Sequence, residues 1–305
     1  MRAEPAAAGT WGRPAAEPAA AEASVTASAG SAPAGSGTPS AEPAGAGSAQ
    51  PQADASGPST RLAHHAWPDL DDRVPLVLLP LGSIEQHGPH LPLDTDTAVA
   101  SAVAGRAAAR LCGEVDVLVA PAQSYGASGE HEGFPGTVSV GHDALRLLVM
   151  EIGRSMLRWA GRLLVVNGHG GNLVSLAGAV TALRGESRDA AWWPCLPSGS
   201  DAHAGRTETS MMLRLRRSAV HTDRAVAGPT DPVHLLLDRL VAESVRGVSP
   251  FGVLGDPAGA RASEGEQLLE RMADRLATDI RAWQVSGRGR LGTAERHPAA
   301  GGAMR

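Results

Sequence analysis

Glu85 and His87 lie two residues apart in the run Gly82-Ser-Ile-Glu-Gln-His-Gly-Pro-His-Leu-Pro-Leu-Asp-Thr-Asp96. In extended backbone that spacing points both side chains to one face. With Asp96 they form a carboxylate, an imidazole and a second carboxylate on one stretch of chain, a donor set suited to a divalent metal at a catalytic site. Taken singly, Glu85 reads as a surface charge, and Asp96 or Thr95 as a helix cap. Only their grouping points to chemistry.

A second cluster, Asn167-Gly-His-Gly-Gly-Asn172, follows an apolar run and opens a helical pattern. Its glycines allow close backbone approach and leave His169 presented on a turn. Gly-rich turns also cradle phosphate, but neither the GxGxxG spacing nor a P-loop Lys is present. A third cluster, His203-Ala-Gly-Arg-Thr-Glu208-Thr-Ser, puts His203 in a polar loop and Glu208 in the first turn of a helix, where the dipole alone would favour an acid. The polar loop from Tyr125 to Thr137 has the character of a cleft lining, with Tyr125, Ser128 and His131 as candidates for touching a substrate. No GxSxG nucleophile motif occurs, which disfavours covalent acyl catalysis.

In order and spacing, these motifs resemble the creatininase family of metal-dependent amidohydrolases across nearly all of residues 70–285, including the late segment Gly252-Val-Leu-Gly-Asp-Pro257. The resemblance implies a single α/β domain in a ring-like homo-oligomer and two divalent ions per chain. Zn or Fe(II) suit the donor set, with Mn as a further candidate. It implies that Glu85 and His169 hold one metal, that His87 belongs to the other, and that Asp96 bridges them. Two positions depart from the family pattern. Gly171 stands where a Glu ligand is expected, which makes Glu208 the candidate replacement; Gly199 stands where a Trp is expected to cover creatinine. The runs LPLGSIEQHGPHLPLDTDT, YGASGEHEGFPGT and DAHAGRTETS are most similar to the branch of the family that cleaves a modified ribosomal precursor peptide, releasing its C-terminal cross-linked Val-Tyr-derived unit. In that reading His203 protonates the leaving amine or stabilises the oxyanion, with Glu208 beside it. Another small-amide hydrolase, or a metal-binding scaffold without turnover, are the rival readings.

These residues need elements to hold them. Short apolar runs at Leu76–Leu81, Val115–Ala120, Leu163–Val166 and, more weakly, Ala190–Trp193 read as strands. Helical spacing is expected over Thr97–Leu111, Asp143–Trp159, Leu173–Arg184, Thr207–Arg217, Pro232–Arg246 and Glu264–Trp283. Such alternation predicts an α/β domain over residues 66–290, with a mostly parallel sheet flanked by helices on both faces. Ligands in such folds gather at the carboxyl ends of the strands, where all three clusters fall.

Bulk composition narrows the partners. The 305 residues carry a net charge of −5, the pI is near 6.1, and every basic side chain other than histidine is Arg. No basic block invites nucleic acid or an anionic membrane. No apolar run is long enough to span a bilayer, and the two cysteines, Cys112 and Cys195, suggest a reducing, cytoplasmic setting. Residues 1–60 are rich in Ala, Pro, Gly and Ser and are expected to be disordered, as are residues 291–305.

Overall fold

The computed structural model describes residues 59–197 and 199–292, so the expectations for 1–58 and 293–305 lie outside the described residues. Four parallel strands form one sheet: β1 (Leu76–Leu81), β2 (Val117–Val119), β3 (Arg162–Asn167) and β4 (Ala190–Pro194), in the order β2-β1-β3-β4. The first three connections each carry a helix: α1 (Thr95–Leu111), α2 (Gly141–Met156) and α3 (Leu173–Gly185). Beyond β4 come α4 (Arg206–Leu215), α5 (Val233–Val248) and α6 (Ala262–Ala282).

Side-chain alternation along the strands decides the layers. Leu76 and Leu78 of β1, Leu164 and Val166 of β3, and Ala191 and Trp193 of β4 pack on one face with α1, α6 and Met211 of α4. Val77, Leu79 and Leu81, then Leu163 and Val165, then Ala190 and Trp192, pack on the other face with α2 and α3. Both faces are therefore covered, which is why the strands read as continuous apolar runs. Arg106 of α1 pairs with Glu266 and Glu270, and Arg110 with Glu270 and Asp274, along the seam with α6.

The chain moves outward from β1 to β2 and then returns past β1 to β3. That reversal places α1 and α2 on opposite faces and opens a crevice beyond the ends of β1 and β3, the switch point where such folds bind ligands. The expected elements are all present, with differences at their ends. β2 is shorter than the apolar run, because Val115 is spent on the turn closing α1, its N–H bonding to Leu111 O at 3.0 Å. Asp94 takes the N-cap position of α1, so Asp96 falls inside its first turn. Within α5, Ser244 has φ +60°, so two helical pieces meet at a kink.

Candidate metal centre

The loop after β1 folds back on itself: Glu85 N–H bonds to Leu93 O at 3.0 Å, and Leu91 N–H to His87 O at 3.3 Å. This carries Glu85 and His87, both 0% exposed, beneath the start of α1, where Asp96 is 4% exposed. The loop after β3 brings His169 to the same place, and Asn172 ties the two loops together, its amide donating to Gly82 O at 2.9 Å and accepting from Ala127 N–H at 2.9 Å. His203 arrives from the segment before α4, where Ala204 adopts a left-handed φ of +52°. Glu208 is held in the first turn of α4 by accepting from Ala204 N–H at 2.6 Å.

Ligand-capable atoms converge in three groups, each with all atoms within 4.8 Å: Glu85, Asp96 and His169; His87, Asp96 and Glu208; and Glu85, His87 and His203. The first two share only Asp96, and its two oxygens divide between them. Oδ1 lies 3.1 Å from His87 Nε2, while Oδ2 lies 3.2 Å from His169 Nδ1. Ser83 Oγ donates to Oδ2 at 2.7 Å and fixes the carboxylate's plane. Glu208 Oε2 is 3.9 Å from His87 Nε2.

Whether a cation fits here is answered by Glu85. Its two oxygens are buried and neither has a hydrogen-bond partner, although His131 Nε2 and His169 Nδ1 stand 3.3 and 3.2 Å from Oε1. A buried carboxylate without a partner is costly unless something positive meets it. Without metal, that something is protons. Burial alone would raise the Glu85 carboxyl, but His169 outweighs it and holds it at about 2. Burial would likewise lower His87, but Asp96 overcomes it and raises the imidazole to about 10. His169 is driven well above its usual range against burial by Glu85 and Asp96, and Asp96 well below its own by His87 and His169. The donor set and its charge fit two divalent cations in place of those protons.

The remaining predicted residues divide. His203 is buried, and burial with the neighbouring His87 keeps it neutral. His131 is 4% exposed and lies tilted against His203, ring centroids 4.5 Å apart; Ser128 is fully buried with an unpartnered hydroxyl. Tyr125 is 49% exposed and does not join the cluster. Gly171 has no room for a side chain, since a Cβ there would lie 2.4 Å from His169 Nε2 and 2.5 Å from Glu130 Oε1. Glu130, which the sequence reading passed over, is 3.4 Å from His169 Nε2. Gly199, where a covering Trp is expected, is exposed, and a Cβ there would meet nothing within 4 Å. Gln86 was also passed over, though its amide lies between two of the histidines.

A doubly wound sheet whose switch point carries buried His, Glu and Asp clusters of this kind defines the chain as a metal-site hydrolase of the amide-cleaving class. The chain belongs to the creatininase family: the family model described as creatinine amidohydrolase matches residues 63–280. It is 51% identical over 224 residues to the mycofactocin precursor peptide peptidase of Mycolicibacterium smegmatis, covering 73% of this chain and 91% of that protein. Identity to the creatinine amidohydrolase of Pseudomonas putida is 30%, over 70% of this chain and 94% of the relative. Among solved structures, a manganese creatininase superposes with a TM-score of 0.61 at 27% identity, covering 74% of this chain and 98% of its own, and a Zn-Zn form of a creatininase mutant does so with 0.61 at 26%, with the same coverage.

Proposed function

We propose that this protein is the metal-dependent peptidase of mycofactocin biosynthesis, hydrolysing the modified ribosomal precursor peptide to release its C-terminal cross-linked Val-Tyr-derived unit. The observation that carries this is the orphaned, fully buried Glu85 carboxylate within the Asp96-sharing cluster, in a chain 51% identical to a mycofactocin precursor peptide peptidase. Gly199, at the position where a covering Trp is expected, supplies no ring to close over a small cyclic substrate.

Glu85, Asp96 and His169 would hold one ion, and His87, Asp96 and Glu208 the other. Two divalent ions supply the activation of a water and the polarisation of the scissile carbonyl. His203 is then free of ligand duty. Its Nε2 is 2.8 Å from Gln86 O, so Nε2–H donates to that carbonyl and Nδ1 is a bare acceptor facing the cluster. Nδ1 accepts the proton of the attacking water and returns it to the departing amine. Asp96 orients both halves of the cluster, and Ser83 fixes Asp96. The protein is expected to act in the cytoplasm as a homo-oligomer, without nucleic acid; among the described residues no helix is long and apolar enough to cross a membrane.

The test is to incubate the metal-loaded protein with the modified precursor peptide, creatinine and a formamide, and to identify products by mass spectrometry. Release of the C-terminal unit from the peptide, with the other two untouched, is expected. Turnover of creatinine or the formamide with an intact peptide would overturn the reading in favour of a small-amide hydrolase.

A further inference from the structure

The four imidazoles of the centre are not equivalent, and backbone groups decide how they differ. A carbonyl can only accept, so a ring nitrogen facing one must carry the proton. His87 Nδ1 faces Glu85 O at 3.1 Å, His169 Nε2 faces Ala127 O at 3.1 Å, and His203 Nε2 faces Gln86 O at 2.8 Å. Each of these rings, when neutral, therefore turns a bare lone pair to the carboxylates of the centre.

His131 is wired the other way. Its Nδ1 is 2.8 Å from Gln86 Nε2, and the orientation of that amide is forced. Gln86 Oε1 accepts from Gly88 N–H at 2.9 Å, while Nε2 donates to Gly252 O at 3.1 Å. Reversing the amide would set oxygen against oxygen and N–H against N–H. Of the two Nε2 protons, one goes to Gly252 O and the other to His131 Nδ1. His203 Nε2, 3.0 Å away, receives neither because it is itself a donor. The arrangement is tight: a Cβ at Gly252, where φ is +78°, would lie 1.9 Å from Gln86 Oε1. His131 Nδ1 thus accepts, and Nε2–H points toward the centre, 3.3 Å from Glu85 Oε1 but without making a hydrogen bond there.

We infer that His131 is the hydrogen-bond donor of this centre to the oxyanion that develops on the scissile carbonyl, and that Gln86 is the positioning residue that fixes it in the donating tautomer. The inference rests on the amide-hydrolase reading above and assigns the oxyanion contact to His131 and the proton relay to His203. A bare Nδ1 cannot donate to an oxyanion, and a ring already holding its Nε2–H inward need not move a proton to do so.

The assignment is tested on zinc-loaded protein labelled with 15N-histidine, using long-range proton–nitrogen spectra that tell bare from protonated ring nitrogens. The ring whose signals vanish in His131→Gln should show Nε2 protonated and Nδ1 bare. A His131 protonated at Nδ1 overturns the proposal without any assay of turnover. In kinetics on whichever amide the wild type hydrolyses, Gln86→Met should lower kcat about 100-fold, with KM within about threefold and zinc content unchanged. His131→Gln, which keeps an N–H, should retain roughly tenfold more activity than His131→Leu. Unchanged kcat in Gln86→Met, or loss of zinc alongside kcat, would also overturn it. Failure of the peptide as substrate strikes the proposed function and leaves the tautomer result standing.

Discussion

Asp96 is the residue on which both halves of the centre depend, because Oδ1 serves the His87 side and Oδ2 the His169 side. Asp96→Ala should therefore abolish binding of both ions, rather than one, and reduce turnover to background. Elemental analysis of the purified variant checks this, and retention of one ion per chain would refute a bridging role. His203→Ala should behave differently. Its ring belongs to neither of the groups that share Asp96, so both ions should stay while kcat falls by about 10²- to 10⁴-fold. Loss of an ion in His203→Ala would instead make His203 a ligand. Glu85, His87, Asp96 and His169 were legible as candidates because each sits in a Gly- and Pro-punctuated motif directly after a strand or at a helix start. Gln86 was not legible as a functional residue. Its partners His131 and Gly252 lie 45 and 166 positions away, and nothing local marks an amide whose value is its hydrogen-bond pattern.

At the scale of elements, the sheet and the helix seams contribute unequally. Leu164 of β3 is fully buried between β1 and β4 and against α1. Leu164→Ala should cost about 2–5 kcal/mol, by lost transfer energy and the cavity left behind. Arg110→Ala removes partly exposed ion pairs with α6 and should cost no more than about 1 kcal/mol. Urea unfolding of the two variants checks the ranking; an Arg110 variant as damaging as the Leu164 one would show that the seam holds the fold. The strands were readable because burial on both faces demands uninterrupted apolar runs, and β4 was the faintest because half of its Ala190–Trp193 run is alanine, a poor strand former. Element ends were less readable. Where β2 begins depends on the turn closing α1, and where α1 begins depends on Asp94 O accepting from Ala98 N–H at 2.9 Å, both backbone hydrogen bonds that composition does not decide.

For the whole molecule, the centre couples protonation to metal and to stability. The two depressed carboxyls, Glu85 at about 2 and Asp96 lower than usual, stabilise the metal-free fold fully above pH 4.5, and that contribution is lost as pH falls toward 2. The raised imidazoles, His87 at about 10 and His169 well above its usual range, stabilise it fully below pH 6.5, and their contribution fades as pH rises toward 10. At pH 7 both rings are therefore protonated in the metal-free protein, whereas a metal ligand must be neutral. Loading two ions at pH 7 should release between about two and three protons per chain, because burial raises the Glu208 carboxyl to about 7 and it too must be ionised to bind. Titration calorimetry in two buffers of different ionisation enthalpy measures that number as the slope of observed heat against buffer heat, and a slope near zero would mean that these rings are not the ligands. Because the ions bind only the folded chain, free metal at 100 times each dissociation constant should add about 2.7 kcal/mol per site. For a domain of this size that amounts to a rise in Tm of roughly 10–20 °C, reversed by a chelator. Asp96→Ala should show neither the proton release nor the thermal shift, which ties both signals to the one carboxylate shared by the two halves of the site.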